Sequence, residues 1–277
     1  MNLVLQGPAL SKADIGAVAD GARPAAIVPI NEKAARLTGA TPHDSIAKIC
    51  EARRIDYAWM EPGRRFADLG LLAMDMDSTL ITIECIDELG AMAGRGAEIA
   101  AITEAAMRGE IADYQESLRR RVALLGGTKE SVLEDVYRQK LRLTAGAEEL
   151  LASCRKHGVK TLLVSGGFTY FVERVQQRLG IDYAICNRLE IRDGKLTGAL
   201  LGDIVDADAK AGKFVSLLES LKMEKERSVA IGDGANDLKM MAKAGLSIAF
   251  HAKPVVRAQA SCALTYSGLD GVLNLFE

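Results

Sequence analysis

The sequence has 277 residues, of which 49% are hydrophobic, 26% charged and 5% aromatic, a globular composition that is long enough for two domains. Its net charge of −2 supplies no overall field that would steer the chain onto nucleic acid or an anionic membrane. We therefore expect neither partner, and an anionic substrate would have to be held by local positive groups.

The cysteines and the N-terminus indicate a cytoplasmic protein. The five cysteines are scattered and include no C-x-x-C pair, which predicts buried free thiols in a reducing compartment. The first residues lack the basic-then-apolar pattern of a signal peptide, and no apolar run approaches the length of a membrane span.

Residues 1–68 predict a small α+β domain. Asn2–Gln6 and Ala25–Ile30 are strand-like, and the helix between them is expected to begin after a Ser11 cap and to end at Gly21. A second amphipathic helix is predicted to begin at Asp44 as its cap.

No polar cluster converges in this domain, and the stretch MEPGRR (60–65) that follows it is typical of a linker. Three interpretations remain open. The domain is a dimerisation module, an amino-acid sensor or a structural appendage. The first of these would make the protein a homodimer.

The stretch LLAMDMDSTLITI (71–83) is the centre of the sequence. A short apolar run of this kind is typical of a buried strand in a parallel sheet, here ending at Asp75. If the backbone stays extended through Met76, the carboxylates of Asp75 and Asp77 point the same way and need a cation such as Mg²⁺. Taken alone, the pattern more often marks an Asp-rich turn after a strand.

Residues 83–145 predict a helical insertion, because three successive segments have helical composition and end at glycine. In the third segment, Tyr114 and Leu125 mark the ends of a buried face. Arg121 falls on this face, whereas Arg119 and Arg120 turn toward solvent. Arg121 therefore needs an anionic partner, which is either a structural glutamate or a substrate carboxylate.

From residue 146 onward strands and helices alternate, as in a parallel α/β sheet. Buried strands are expected to end at Ser165 and at Asp233, and LSIAF (246–250) is the last strong strand. Asp193-Gly194 predicts the turn of a β-hairpin beside the sheet. The expected fold is α/β, with a Rossmann-like parallel core formed by 69–82 and 146–277. The insertion 83–145, a helical-bundle cap that we call the lid, would lie over the crevice.

The later strand ends carry groups that suit a phosphate. Ser165-Gly166-Gly167 offers a hydroxyl and unhindered backbone N–H groups, although such a sequence is more often only a loop. The segment GDGAND (232–237) places two aspartates and an asparagine ahead of a helix, which suits a cation or a cap. Lys210 is in phase with the buried face of its helix, although alone it would be taken as a surface lysine. Together these groups predict a phosphoryl-transfer site.

The segments DMDST, SGG, DAKAGKF and GDGANDLKM, in this order, resemble the four motifs of the haloacid dehalogenase (HAD) superfamily of phosphatases. IECIDELG and SLRRRV resemble the phosphoserine phosphatase family within it. The resemblance covers about residues 70–270. It implies Mg²⁺-dependent hydrolysis of phosphoserine, the small-molecule partner, to serine and phosphate, which is the last step of serine biosynthesis.

The resemblance also implies roles for individual residues. Asp75 is the nucleophile that forms an aspartyl-phosphate, and Asp77 is the general acid and base. Mg²⁺ is held by Asp75, the backbone carbonyl of Asp77 and Asp233, with Asp237 in support. The remaining assignments are Ser165, Gly166, Lys210 and Asn236 for phosphate, Glu84 for the substrate ammonium and Arg121 for its carboxylate.

Two features depart from the family pattern. Tyr114 stands where its members usually carry Phe, and the segment between Met107 and Tyr114 is one residue longer than in close relatives. Both concern the fit of the lid around the serine part of the substrate rather than the hydrolytic chemistry.

Two other functions remain open at this point. A HAD phosphotransferase, or a phosphatase for another small phosphorylated amine or alcohol, would keep the phospho-aspartate. A phospho-accepting receiver domain also uses Asp, Lys and Mg²⁺ on a parallel sheet. The second aspartate two residues after the nucleophile and the large helical lid argue against the receiver domain.

Overall fold

The computed structural model describes residues 1–277, apart from the side chain of Met107. An N-terminal α+β domain comes first. Its elements are β1 (Asn2–Gln6), α1 (Lys12–Ala22), β2 (Ala26–Asn31), β3 (Ala34–Thr38), α2 (Ser45–Ala52) and β4 (Asp56–Met60). They form an antiparallel sheet in the order β2-β3-β1-β4. The sequence analysis predicted β1, β2 and both helices but did not identify β3 and β4.

The caps of the two N-terminal helices were predicted only in part. Ser11 caps α1 as expected, because its side chain accepts a bond from the backbone N–H of Asp14. The end at Gly21 was wrong, since the helix continues to Ala22 and Arg23 adopts the left-handed conformation that ends it. Asp44 precedes α2, but its side chain makes no capping hydrogen bond.

The N-terminal sheet packs against the rest of the protein through the face opposite its helices. Val4, Ala58 and Met60 belong to the same buried cluster as the core of the larger sheet. At its edge, the buried carboxylate of Asp56 accepts four backbone N–H bonds from Thr265–Ser267, at 2.7 to 3.2 Å. A carboxylate held in this way fixes the position of the domain.

The larger part of the chain follows the expected alternation of strands and helices. The first strand and the lid comprise β5 (Leu71–Asp75), α3 (Cys85–Met92), α4 (Gly96–Met107), α5 (Tyr114–Ala123) and α6 (Ser131–Gln139). Next come α7 (Ala147–His157), β6 (Lys160–Phe168), α8 (Thr169–Leu179), β7 (Tyr183–Arg192), β8 (Lys195–Leu201) and α9 (Ala207–Ser220). The chain ends with β9 (Ser228–Gly232), α10 (Leu238–Met241), β10 (Leu246–Phe250), α11 (Pro254–Arg257), β11 (Cys262–Leu264) and α12 (Gly271–Asn274).

The large sheet has seven strands in the order β11-β10-β9-β5-β6-β7-β8. Its strand pairs are parallel except for the last, since β8 runs antiparallel to β7. The expected α/β class with a helical insertion is therefore confirmed. The predicted hairpin is present at Asp193-Gly194, but β7 also pairs with β6 as a full member of the sheet, and β11 was not predicted.

Strand β5 is central because both of its faces are covered. Leu71 and Ala73 pack in one layer with Phe214 of α9, whereas Leu72 and Met74 pack in the other layer. Side chains of a strand alternate between faces, so this run must be apolar throughout. The buried position of Asp75 at its end is the consequence.

Two local features around the strand ends differ from the sequence analysis: the condition of an extended Met76 is not met, and the predicted strand end at Ser165 was wrong. The backbone does not stay extended through Met76, because a tight turn (Met76–Leu80) begins directly after Asp75, with Ser78 at φ 56°. Strand β6 does not end at Ser165 but continues to Phe168, and its pairing with β7 shifts between Val164 and Phe168. The Ser-Gly-Gly segment is thus a bulge inside a strand rather than a loop after it.

The five cysteines are free, and four of them are buried, with Cys186 partly exposed. Across the part of the chain that the structure describes, none of the helices combines the length and the apolar composition that a membrane span requires.

Candidate active site

A cavity of about 770 Å³ lies between the carboxyl ends of the sheet strands and the lid. Its floor includes Asp75, Asp77 and Asp233, and its roof includes side chains of α3, α4 and α5. The carboxylates of Asp75, which ends β5, and of Asp77 thus reach the same cavity, although a turn beginning at Met76 places Asp77 there rather than strand alternation. The lid lies over the crevice, as the sequence predicted.

Three carboxylates form a compact acidic cluster at the bottom of the cavity. Oxygen atoms of Asp75, Asp233 and Asp237 all lie within 4.8 Å of one another. Burial and the charge of Asp237 raise the pKa of Asp75, and Lys210 opposes this rise. Burial, followed by the charge of Asp237, raises the pKa of Asp233 to about 6. The cluster therefore carries more negative charge than its surroundings compensate.

Lys210 is the cation at the centre of this cluster. Its Nζ lies 2.7 Å from Oδ2 of Asp75 and 2.8 Å from Oδ1 of Asp237, and its side chain is completely buried. Helical phase had placed Lys210 on the buried face of its helix, and the structure agrees. The alternative of a surface lysine is excluded.

Asp77 is held in a different environment from Asp75. Its Oδ1 is buried and has no hydrogen-bond partner among the described side chains. Burial, and then the negative charge of Glu84, raise the pKa of Asp77 to about 7. A carboxyl group of this kind is suited to exchange protons near neutral pH.

Hydrogen bonds from neighbouring side chains orient the acidic groups and the Ser-Gly-Gly bulge. Thr79 donates from Oγ1 to Oδ1 of Asp233 at 2.9 Å. The backbone N–H of Gly167 donates to Oγ of Ser165 at 2.9 Å, and Nδ2 of Asn187 donates to the carbonyl of Gly166 at 2.8 Å. The bulge is therefore held by a hydrogen bond within itself and by one from Asn187 of the neighbouring strand β7.

The lid and its first turn supply groups of both charges. Glu84, which precedes α3, accepts a hydrogen bond from Oγ of Ser78 at 2.7 Å and lines the cavity. Arg121 of α5 also lines the cavity, whereas Arg119 and Arg120 are exposed. The helical-face argument thus chose the arginine that reaches the cavity.

Not every predicted site residue reaches the cavity surface. Gly166 and Asn236 line it, together with Asp75, Asp77, Glu84, Arg121 and Asp233. Ser165, Lys210 and Asp237 are fully buried just beneath it, at 0% exposure. The structure brings all ten residues to one end of the sheet, while their individual roles remain predictions.

The sequence analysis missed several residues of the site, among them Lys253 and Asn187. Lys253 follows β10 and lines the cavity; with Arg121 it provides the positive charge among the described lining residues. The rule that strand ends meet at the site could have identified it. Nothing in the sequence indicated Asn187, because a single polar residue in a predicted hairpin strand is normally exposed to solvent.

The acidic cluster fits a hard divalent cation. The three carboxylates offer only oxygen donors, and one buried ammonium does not balance their charge. The cluster includes the carboxylate of Asp237, which was predicted only as a support, and does not include the carboxylate of Asp77. The predicted ligand from Asp77 is its backbone carbonyl, which stays a prediction.

Comparisons with known proteins agree with this architecture. Residues 72–242 match the family model of the haloacid dehalogenase-like hydrolases, and residues 3–46 match a domain of unknown function (DUF4072). A phosphoserine phosphatase of Polaromonas sp. is 53% identical over 220 residues, which cover 78% of this chain and 93% of that protein.

Two solved structures extend the comparison. The unliganded crystal structure of a probable phosphoserine phosphatase from Vibrio cholerae has a TM-score of 0.86 at 38% identity, covering 99% of this chain and 86% of its own. A phospho-aspartyl intermediate analogue of phosphoserine phosphatase has a TM-score of 0.71 at 37% identity, covering 76% of this chain and 99% of its own. By sequence and by fold, the chain belongs to the phosphoserine phosphatase family of the haloacid dehalogenase-like hydrolases.

Proposed function

We propose that this protein hydrolyses O-phospho-L-serine to L-serine and phosphate through an aspartyl-phosphate on Asp75. The observation that carries the proposal is the setting of Asp75, whose carboxylate lines the cavity and lies 2.7 Å from the buried ammonium of Lys210. The family supports the substrate, and the phospho-aspartyl analogue of a similar phosphatase supports the intermediate.

The two aspartates divide the chemistry between them. Asp75 is the nucleophile, since a carboxylate needs no general base to activate it. As its oxygen bonds to phosphorus, the bond from phosphorus to the seryl oxygen breaks, and Asp77 gives its proton to that oxygen. Asp77 then takes a proton from the water that attacks phosphorus, and Asp75 is released. The unpartnered Oδ1 of Asp77 supports this assignment.

We propose Mg²⁺ as the cation, with Asp75, the backbone carbonyl of Asp77 and Asp233 as ligands and Asp237 in support. When bound, such an ion neutralises charge on the transferring phosphoryl group. Ser165, Gly166, Lys210 and Asn236 are the proposed phosphate-binding residues. Thr79 keeps the carboxylate of Asp233 oriented toward the cluster.

The serine part of the substrate carries one ammonium and one carboxylate, which require partners of opposite charge. We assign the ammonium to Glu84, which Ser78 orients, and the carboxylate to Arg121, whose fork of donors suits it. Both residues line the cavity together with Lys253. The lid therefore selects the amino acid, while the strand ends act on the phosphate.

The test is a phosphate-release assay with Mg²⁺ and a panel of phosphoserine, phosphothreonine and phosphoethanolamine. The wild type should release phosphate from phosphoserine most efficiently, and Asp75→Asn should abolish release while leaving the fold intact, as circular dichroism measures. A parallel assay with added homoserine addresses the phosphotransferase alternative. Phosphorylated homoserine without free phosphate would exclude the hydrolase.

The domain division, oligomeric state and location are also proposals. Division into 1–68, the core (69–82 with 146–277) and the lid (83–145) is supported by the turn at Phe66–Asp68 before β5 and by the four helices between β5 and α7. A homodimer through the N-terminal domain is supported by Ile27 and Val28 on edge strand β2, each 46% exposed. Free cysteines support a cytoplasmic location.

A further inference from the structure

Tyr114, the first residue of α5, brings a hydroxyl group from the lid to the Ser-Gly-Gly bulge. Its ring packs against the main core, and its side chain lines the cavity. A methyl group added to Gly166 would collide with the Tyr114 hydroxyl, so only glycine permits this approach. The hydroxyl thus lies directly over the bulge inside β6.

The surroundings of this hydroxyl suit a hydrogen-bond donor. Burial raises the pKa of Tyr114 to about 12, so the group keeps its proton at neutral pH. The charges that act on it belong to Lys210, Arg121, Asp75 and Asp77, which are residues of the proposed reaction site. None of the side chains that the structure describes forms a hydrogen bond with the hydroxyl, which leaves it available to a ligand in the cavity.

The start of α5 is held in place on both sides of Tyr114. The carboxylate of Asp113 caps the helix by accepting from the backbone N–H of Gln115 at 2.9 Å. Nε2 of Gln115 then donates to Oδ2 of Asp206 at 2.7 Å, which ties this turn of the lid to the start of α9. The hydroxyl is therefore positioned before any ligand arrives.

We propose that the Tyr114 hydroxyl donates a hydrogen bond to a phosphoryl oxygen of the bound substrate. The lid would then contribute a phosphate-binding residue in addition to those proposed in the core. The phosphoryl group is favoured over the substrate carboxylate as the partner of this hydroxyl because Tyr114 lies against Gly166, a proposed phosphate-binding residue. Arg121, the proposed partner of the carboxylate, lies seven residues, or about 10 Å, further along the helix. The identity of the whole substrate rests on the proposed function, but the contact itself requires only phosphate.

The decisive variant is Tyr114→Phe, which removes the hydroxyl and keeps the ring. Binding of inorganic phosphate, measured by calorimetry with Mg²⁺ present, should weaken about tenfold, because a hydrogen bond to a charged group is lost. The value of kcat/KM should fall by a similar factor for phosphoserine and for phosphoethanolamine, which lacks the carboxylate. The unfolding midpoint without phosphate should not change.

Tyr170→Phe is the matched control. The Tyr170 hydroxyl donates to Glu134, and neither residue lines the cavity, so removing this hydroxyl should leave phosphate binding unaltered. Unchanged phosphate binding in Tyr114→Phe would overturn the proposal, and so would a loss confined to phosphoserine, which would assign the hydroxyl to the carboxylate. If the wild type does not hydrolyse phosphoserine but Tyr114→Phe still weakens phosphate binding, the proposed substrate is wrong and the phosphate contact stands.

Discussion

Lys210 lies completely buried beneath the cavity surface, with its ammonium 2.7 Å from the carboxylate of Asp75. The same ammonium contacts Asp237 at 2.8 Å, so that one buried cation joins the end of β5 to the segment after β9. Burial alone would lower the pKa of Lys210, but Asp237 and Asp75 raise it. Lys210 therefore remains charged and fixes the proposed nucleophile, Asp75, in position.

Replacing Lys210 should harm both stability and catalysis. In Lys210→Met the buried carboxylates of Asp75 and Asp237 lose their counter-charge, which should lower the free energy of unfolding by about 3–5 kcal/mol. Turnover should fall by about 10²–10³, because positive charge near the phosphoryl group is lost. Urea unfolding and phosphate-release kinetics measure the two effects. Lys213→Met on the same helix is the control, and equal behaviour of the two variants would contradict the role of Lys210.

Arg121→Ala should change substrate selectivity rather than general phosphatase activity. The guanidinium reaches the cavity from the lid, so kcat/KM for phosphoserine should fall about 10- to 100-fold as a charged hydrogen-bonded contact is lost. Phosphoethanolamine, which has no carboxylate, should be affected much less. Arg120→Ala removes an exposed arginine that pairs with Glu116 and should leave both substrates unchanged. Equal losses on both substrates would remove Arg121 from carboxylate recognition.

Asn187 should position the Ser-Gly-Gly bulge without touching the substrate. Its Nδ2 donates to the carbonyl of Gly166, and its Oδ1 accepts from the backbone N–H of Val205, both at 2.8 Å. Asn187→Asp keeps the acceptor but places an oxygen against the Gly166 carbonyl, which should cost about 1–3 kcal/mol of stability. Because the bulge carries the proposed phosphate-binding residues Ser165 and Gly166, kcat/KM should fall by the same factor for all phosphomonoesters. A loss specific to phosphoserine would argue against a positioning role.

The reaction end of the sheet was predictable because its signals are local. The apolar run before Asp75 identifies a buried strand by itself, and helical phase alone separates Arg121 from Arg120 and places Lys210 inward. Each of these inferences uses residues within one element. The convergence of the strand ends then follows from the general geometry of parallel sheets.

The details that the sequence did not reveal depend on partners far along the chain. The bulge at Ser165-Gly166-Gly167 arises from a register shift against β7, and its support comes from Asn187, which is 21 residues away from Gly166. Asp56 at the start of β4 resembles an ordinary strand residue until the backbone of Thr265–Ser267, more than 200 residues away, is placed beside it. Such pairs become visible only in the folded chain.

Asp206 connects the lid to the helix that carries Lys210, and its contribution should depend on pH. Its carboxylate caps α9 through the N–H groups of Asp208 and Ala209, both at 3.0 Å, and accepts from Gln115 of the lid. These bonds, led by that from Ala209, lower the pKa of Asp206 in the folded protein. Because the pKa of Asp206 is lower in the folded than in the unfolded protein, its ionised carboxylate stabilises the fold at pH values above the unfolded pKa. This stabilisation is lost as the pH falls through the folded pKa.

Asp206→Ala should therefore lower the free energy of unfolding by about 1 kcal/mol at neutral pH, the usual contribution of an N-cap. The difference from the wild type should shrink below about pH 4, where the unfolded aspartate takes up its proton. Urea unfolding at a series of pH values measures this difference in unfolding free energy. Asp203→Ala, which changes an exposed residue just before the helix, is the control. A difference that stays constant into acid would show that the charge of Asp206 is not what stabilises this junction.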